Sequence, residues 1–268
     1  MSFYGCKFSF NGIPCEEYGL MMFDFGSPRE VSGSSTASGS AVEDRIARRY
    51  RVINYGKIQD RPLELQFVFG ANNGRIDSER FFDRWSVEAI FAWLTGHDTY
   101  KWLEVEQPDM ETVRYKCRVT ECSFNTVGKF PWAFECKAIC DSPYGYTFPE
   151  SHKYSIIGSQ GVKIFNRGTH NGFYYPQMQL SLAGASSVNI VNHSDNDRLF
   201  SLTNIPNGQT IIIDIDNENG VIKNNRNVNL YQGFNFNFFR FVKGDNNLTI
   251  TGNCNLDIIT MFPVNIGG

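Results

Sequence analysis

The chain has 268 residues, of which 41% are hydrophobic and 20% charged, so it can bury a core and is not an intrinsically disordered polypeptide. Its formal net charge of −3 gives no electrostatic reason to expect binding to nucleic acid or to an anionic membrane surface. Aromatic residues reach 15%, with 23 Phe and 12 Tyr, and such rings favour pleated sheets over helix interiors. The composition therefore predicts a mainly β protein.

Targeting and redox signals are weak. No stretch approaches the ~20 consecutive apolar residues of a membrane span. The first ten residues alternate in polarity, whereas a signal peptide would begin with a cationic segment followed by an apolar block. Seven cysteines form an odd number in a chain that is too long to require disulfides, which indicates reduced thiols in a cytosol.

Four segments of the first half alternate between apolar and polar residues, as strands with one buried face do. The first of them ends at the turn signal Asn11-Gly12. The apolar positions of the four segments are Tyr4, Cys6, Phe8 and Phe10; Leu63, Leu65, Phe67 and Phe69; Tyr115, Cys117 and Val119; and Phe130, Trp132, Phe134, Cys136, Ala138 and Cys140.

Residues 27–40 are rich in Gly, Ser, Thr and Ala and offer almost nothing to bury, so we expect a mobile loop in the isolated chain. Two interpretations stay open, because a loop of this length is unusual in a compact β domain. It is either a flexible connector or an arm that orders against a neighbouring subunit. The arm would include Ser27, Pro28, Ser34, Ser35 and Ser40.

A cationic cluster follows this loop and consists of Arg45, Arg48, Arg49 and Arg51. Arginines suit phosphate groups, but Glu43 and Asp44 precede the cluster and the surrounding half of the chain is net acidic. A solvated strand face or a set of salt bridges between subunits is the favoured interpretation.

One segment, residues 77–94, has apolar residues at helical spacing, namely Phe81, Phe82, Trp85, Ala89 and Ile90. Asp77 or Ser78 can cap its first turn, and Gly96 can end it. The pattern predicts a helix that covers one face of the sheet, either continuous or interrupted before Phe91.

Composition changes near residue 148. Residues 1–148 hold 17 basic and 20 acidic side chains, all four Trp and six of the seven Cys, whereas residues 149–268 hold eight basic and eight acidic side chains. Residues 141–149 between them contain turn-forming Pro and Gly. We therefore expect two domains, residues 1–146 and residues 147–268.

The second half contains only short alternating segments, which predict an antiparallel β-sandwich. Turn signals at residues 207–208, 219–220 and 244–247 separate the segments. Their apolar positions are Tyr174, Pro176, Met178, Leu180 and Leu182; Ile211, Ile213 and Ile215; Phe234, Phe236 and Phe238; and Leu256, Ile258, Thr260 and Phe262.

Residues with catalytic or metal-binding chemistry do not form a recognisable motif. The four histidines, His97, His152, His170 and His193, lack a nucleophile, zinc-protease or phosphate-loop context. Residues 214–220 resemble a calcium loop, but the glycine and the final glutamate of an EF-hand are not at their required positions. We expect neither an enzyme nor a cofactor.

Four cysteines have a spacing that loosely resembles that of a zinc site: Cys117, Cys122, Cys136 and Cys140. Cys117 and Cys122 differ in parity, so on one regular strand they would face opposite ways. Buried structural thiols are therefore the favoured interpretation, and no metal is expected.

The order of segments along both halves resembles the distal tail protein (Dit) family of long-tailed, siphovirus-type bacteriophages. The resemblance rests on the ordered series, since no single motif is specific. Its members are residues 8–12 (FSFNG), 18–20 (YGL), 61–67 (RPLELQF), 102–119, 140–146 (CDSPYGY), 168, 175–176 (YP), 188–192 (VNIVN), 211–214 (IIID), 236–239 (FNFF), 244–250 (GDNNLTI) and 261–263 (MFP).

This resemblance implies a virion protein of the tail tip, assembled in the bacterial cytoplasm. The N-terminal β-sandwich with its helix would build a hexameric ring around the DNA channel, and a galectin-like, jelly-roll sandwich would project from it. The implied partners are further copies of the chain, the tail tube protein, the tail-associated tip protein and a receptor-binding protein. The genome would pass without specific binding, and no membrane insertion is implied.

Two other functions remain as alternatives. A carbohydrate-binding adhesion module would stack sugar rings on exposed aromatics, for which Tyr174, Tyr175 and Tyr231 are the candidates. A wall-degrading hydrolase would need a carboxylate pair or a metal in a cleft, and spacing singles out no such pair.

Overall fold

The computed structural model describes residues 7–26, 39–41, 58–60, 62–72, 82–106, 111–182, 184, 187–205, 208–214, 221–224 and 230–265. The chain divides between Gly145 and Tyr146 into two compact units, here called the N-terminal unit and the C-terminal unit. The described part is mainly antiparallel β structure with one α-helix, which confirms the predicted fold class.

The strands before the division are β1 (Lys7–Phe10), β2 (Ile13–Pro14), β3 (Leu20–Gly26), β4 (Gly39–Ala41), β5 (Ile58–Asp60), β6 (Glu64–Ala71), β7 (Lys101–Glu106), β8 (Val113–Val127) and β9 (Phe130–Cys140), with the helix α1 (Arg84–Thr95) between β6 and β7. β10 (Gly145–Tyr146) spans the division. The strands after it are β11 (Glu150–Ile156), β12 (Ser159–Asn166), β13 (Gln177–Leu182), β14 (Val188–Asn192), β15 (Arg198–Leu202), β16 (Thr210–Asp214), β17 (Val221–Asn224), β18 (Gly244–Thr251), β19 (Cys254–Thr260) and β20 (Pro263–Val264).

The N-terminal unit is built on an antiparallel sheet in the order β2-β1-β7-β8-β9-β6-β3. Asn11 and Gly12 form the predicted turn between β1 and β2, and both have the positive φ (54° and 77°) that a two-residue type I′ hairpin requires. Strands β1 and β3, distant in the sheet order, approach each other, so the sheet folds back around one core.

Period-two alternation places the predicted residues in this core. Phe8, Phe67 and Phe69 are buried together, and the ring of Phe8 lies 5.3 Å from that of Phe69. In β9 the buried alternation begins only at Phe134, because Phe130 is 55% exposed.

Strand β8 contains a bulge that the sequence did not reveal. Val119 pairs with Ala138 and Glu121 with Lys137, which leaves Thr120 as an extra residue without a cross-strand pair. Before this residue the odd positions of β8 face inward, whereas after it Cys122, an even position, lies beside the buried Cys136.

The bulge overturns the parity argument for the cysteines. Cys117 pairs with Cys140 and Cys122 pairs with Cys136, so all four side chains lie on one face of the β8–β9 hairpin. Cys122 and Cys136 form a disulfide, which corrects the expectation that the cysteines are all reduced. Cys117 and Cys140 are buried thiols, as predicted.

Helix α1 differs from its prediction in both its start and its buried face. It begins at Arg84, where the Asp83 side chain accepts a hydrogen bond from the Ser86 N–H at 2.7 Å, whereas the predicted caps Asp77 and Ser78 lie outside the described residues. The helix is continuous to Thr95, and Gly96 follows it.

The buried face of α1 consists of Val87, Ile90, Trp93 and Leu94. Trp85 and Ala89, which the prediction assigned to that face, are exposed. Trp93 anchors the helix to the sheet, because its Nε1–H donates to the Phe10 carbonyl at 3.0 Å and its ring stacks on Tyr18 at 4.6 Å.

The C-terminal unit is a sandwich of two antiparallel sheets, ordered β11-β19-β13-β16-β17 and β12-β18-β14-β15. One apolar core fills the space between them. The predicted positions Met178, Leu180, Ile211 and Ile213 are fully buried, and Ile215 lies outside the described residues.

Two local predictions for this unit were wrong. Residues 234–238 are not a strand: Phe236 has φ = 58° and is exposed, while Phe239 and Phe241 are buried instead. Residues 244–247 are the beginning of β18 and not a turn, since Asn246 is fully buried and its side chain bonds the Val242 and Gly244 backbone.

Candidate interaction surfaces

Most of the predicted subunit-contact residues lie outside the described part of the chain. This holds for Ser27, Pro28, Ser34 and Ser35 of the arm, and for Arg45, Arg48, Arg49 and Arg51. Ser40 lies in β4, where its backbone pairs with Gln59 of β5. The arm and the arginine cluster therefore stay predictions.

The three candidate sugar-stacking tyrosines do not form one platform. Tyr174 packs edge-on against Phe262 at 5.0 Å, and its hydroxyl accepts a hydrogen bond from the Met261 N–H at 2.8 Å, so its ring is part of the structural framework. Tyr175 lies near the Arg240 guanidinium, whose pKa is raised mainly by Asp195 and to a lesser degree by Tyr175. Tyr231 belongs to a different aromatic group, where it stacks on Phe236 with an interplanar angle of 6°.

The histidines hold local structure together. His97 bonds the Trp93 carbonyl at 2.9 Å, and His152 bonds the Thr260 hydroxyl at 3.1 Å. Among the residues that the structure describes, no group of three or more His, Cys, Asp or Glu could hold a metal ion. No helix in that part of the chain is long and apolar enough to cross a membrane.

His193 lies between Asp197 and Thr249: its Nδ1 is 2.6 Å from the Asp197 carboxylate and its Nε2 is 2.8 Å from the Thr249 hydroxyl. The order Asp–His–hydroxyl is that of a hydrolase triad. Here the His193 and Asp197 side chains are about half and three-quarters exposed, on the open surface of β18, where water competes for every step of nucleophilic attack. The contacts explain how the turn after β14 is fixed to β18.

The N-terminal unit exposes four large apolar side chains at the start of α1 and in the β8–β9 hairpin, which we together call the hairpin-tip surface: Trp85, Phe124, Val127 and Phe130. Trp85 is 78% exposed, whereas the other tryptophan of α1, Trp93, is buried. Aromatic residues are enriched in the cores of protein–protein interfaces. An exposed group of this kind marks a docking surface more often than a solvated face.

Sheet geometry positions the hairpin tip. The pairing of β7 with β8 ends at Cys117 and that of β6 with β9 ends at Ala133, so the β8–β9 hairpin extends beyond both neighbours. Gly128, with φ = 66°, closes it. The Phe82 N–H donates to the Pro131 carbonyl at 3.1 Å, which ties the residues before α1 to the hairpin tip.

The C-terminal unit presents a strained aromatic loop beside β15. Phe236 is 68% exposed and holds a left-handed conformation that is rare for a bulky side chain. The Asn235 side chain fixes it, because its Nδ2 donates to the Leu199 carbonyl at 2.8 Å and its Oδ1 accepts from the Ser201 N–H at 3.1 Å. Hydrogen bonds from the Asn235 side chain thus take the place of the strand pairing that the sequence predicted for residues 234–238.

Sequence reasoning missed the hairpin-tip surface. It assigned Trp85 and Phe130 to buried faces, because an exposed aromatic and a core aromatic look alike in one sequence. The available signal was Asp83, which as the N-cap excludes Phe81 and Phe82 from the helix and leaves Val87, Ile90 and Leu94 as its apolar face.

Comparison with sequence families gives two matches in series. A family described as the phage tail protein N-terminal domain matches residues 3–142, and one described as the phage tail C-terminal domain matches residues 144–260. A comparison with curated proteins finds no relative of the chain.

Similar solved structures come from phage tails. The Dit (gp 19.1) protein of phage SPP1, titled a paradigm of the hub adsorption apparatus in phages that infect Gram-positive bacteria, aligns with a TM-score of 0.61 at 12% identity, covering 96% of this chain and 98% of its own. Chains of the activated phage P2 baseplate with Ca and with Sr align with TM-scores of 0.47 and 0.44, at 10% and 11% identity. They cover 94% and 95% of this chain and 97% of their own.

Proposed function

Because the chain belongs to the family of phage tail proteins defined by these two domains, we propose that it is a structural hub of the tail tip. In this proposal six copies form a ring that joins the tail tube to the tip and to the receptor-binding apparatus. Residues 1–146 build the ring, and residues 147–268 project from it and carry peripheral tail proteins. The protein acts by assembly and performs no catalysis.

The hairpin-tip surface is the observation that supports assembly best. A cyclic ring needs a heterologous contact, in which one patch of each subunit meets a different patch of the next. Phe124, Val127 and Phe130 lie on a hairpin that extends beyond its sheet, a shape suited to reaching a neighbour. The arm at residues 27–40 and the arginines at positions 45–51 would add polar contacts at the same junctions.

Charge supports a channel through which DNA passes. The first 148 residues carry 17 basic and 20 acidic side chains, and a net acidic ring does not accumulate the phosphate contacts that retain DNA. A channel wall that weakly repels DNA is therefore compatible with passage of the genome.

The test is the mass of the purified full-length chain by size-exclusion chromatography with light scattering, followed by negative-stain imaging. The expected mass is about 183 kDa, six times that of the 30.5 kDa chain, with six-fold particles or pairs of them. A monomer at every concentration, together with failure to form rings when mixed with tail tube protein, would contradict the proposal.

A further inference from the structure

A trough of about 530 Å³ lies on the outer face of the five-stranded sheet of the C-terminal unit. It crosses three adjacent strands, β11, β19 and β13, and this volume falls within the range of small-ligand sites. The inner face of the same strands is core, with Met178, Leu180 and Ile258 fully buried. The side chains that point outward from these strands therefore form the floor of the trough.

Strand register arranges these polar side chains in two rows. In one row Asp257 of the central strand pairs with Lys153 on one side and Gln179 on the other. In the next row Asn255 pairs in the same way with Ser155 and Ser181. Lys153 and Gln179 flank the first row with long side chains, whereas Ser155 and Ser181 flank the second with short ones.

The chemistry of the trough fits a neutral ligand with many hydroxyl groups. Hydroxyls and amides both donate and accept, and the single cation, Lys153, is matched by the single anion, Asp257, so neither an anion nor a cation is preferred. Ser151 donates to the Asp257 carboxylate at 2.7 Å and fixes its orientation. Ile212, which pairs with Gln179 from the neighbouring strand, is exposed and offers an apolar contact for the C–H face of a sugar ring.

We propose that this trough is a saccharide-binding site, with Asp257 and Asn255 as the central hydrogen-bonding residues. Asp257 accepts hydrogen bonds from ligand hydroxyls, and Asn255, Ser155 and Ser181 donate to and accept from them. The site lies entirely within the C-terminal unit, so the proposal does not depend on ring formation. It also differs from the tyrosine platform that the sequence suggested.

The experiment uses saturation-transfer NMR and calorimetry on the full-length protein, with chitotetraose, maltotetraose and lactose as probes at millimolar concentration. At least one probe is expected to bind. Asp257→Ala and Asn255→Ala should each weaken that binding about tenfold, because each removes a hydrogen-bonding partner at the centre of the trough. Gln160→Ala, at an exposed residue of the other sheet, is the matched control and should leave binding unchanged.

Three results would overturn the proposal: no binding of any probe, equal binding by the trough variants, or an equal loss in the Gln160→Ala control. Thermal unfolding of each variant checks that it is folded. If either central variant does not fold, Gln179→Ala at the edge of the trough provides the same comparison. Ring formation by light scattering is measured in parallel, so that failure of the saccharide site and failure of assembly are separate outcomes.

Discussion

Tyr115 carries a fully buried hydroxyl, and the described residues give it no hydrogen-bond partner. Its ring packs against Phe25 at 5.3 Å in the core of the N-terminal unit. Burial raises the pKa of Tyr115 above its ordinary value, with a smaller contribution from Cys140, so the hydroxyl stays neutral over the physiological range. A buried polar group without a partner costs stability.

We therefore predict that Tyr115→Phe stabilises the protein by about 1 kcal/mol, since it removes the unpaired hydroxyl and keeps the ring. The free energy of unfolding is measured by urea denaturation monitored by circular dichroism. Tyr115→Leu is the control for packing and should destabilise the protein by about 2 kcal/mol or more. A loss of stability in Tyr115→Phe would show that the hydroxyl has a partner.

The cysteine pairing predicts a thiol count. The chain has seven cysteines and two form the Cys122–Cys136 disulfide, so five thiols should react with a thiol reagent in urea without reductant, and seven after reduction. Cys122→Ser should give six thiols with or without reductant. Seven reactive thiols in the unreduced wild-type protein would contradict the disulfide.

Without denaturant the thiols should react slowly. Cys15, Cys117, Cys140 and Cys254 are buried, and desolvation raises the pKa of Cys15 and Cys254. The thiolate is the reactive form, so a raised pKa and burial act in the same direction.

At the scale of elements, the loop that carries Phe236 depends on one side chain. Asn235 makes hydrogen bonds to the backbone of Leu199, Ser201 and Asn237. These bonds offset a left-handed backbone at Phe236 that costs roughly 1–3 kcal/mol.

Asn235→Ala is therefore predicted to destabilise the C-terminal unit by about 2 kcal/mol and to release the loop from β15. Thermal unfolding gives the first effect, and faster amide hydrogen exchange at Ser201 gives the second. Asn237→Ala, two residues along on the exposed side of the loop, is the matched control and should change neither. Equal effects of both variants would assign the stability to the loop as a whole.

The accuracy of the secondary-structure prediction depended on how regular each element is. Alternation identified β1, β6, β8 and β9 because their strands have one buried face, and Asn11-Gly12 identified the first turn. Prediction failed at residues 234–238, where the Asn235 side chain bonds to β15 in place of a strand ladder, because its partners Leu199 and Ser201 are far away in sequence. The buried face of α1 was misassigned because Phe81 and Phe82, which precede the N-cap Asp83, were counted as part of the helix.

At the scale of the whole molecule, the resemblance to distal tail proteins is confirmed by the two phage tail domain matches and by the fold shared with SPP1 Dit. The ordered series of weak motifs was sufficient to indicate this resemblance because it extends across both units. The hairpin-tip surface and the polar trough could not be predicted in this way, since each exists only after several strands have paired in register.

Assembly should depend on the hairpin tip. The double substitution Val127→Lys and Phe130→Lys puts two charges on an exposed apolar surface, so the subunit should fold normally and remain monomeric. Light scattering measures the mass, and an unchanged melting temperature shows that the fold is intact. Ile157→Lys, at an even more exposed apolar residue of the C-terminal unit, is the control and should still form rings. Rings formed by the double variant would place the contact elsewhere.

Thr120 has no partner in the ladder, and this makes it a residue that β8 can lose. Deleting it leaves Val119 opposite Ala138 and Cys122 opposite Cys136, so the other β8–β9 pairs and the disulfide should survive. Deleting Arg118 instead would turn Val119 to the other face of the strand and out of the core, because Thr120 lies after Val119 and cannot restore the register at that position. The chain thus tolerates a change of length inside its longest strand, where insertions and deletions are ordinarily excluded.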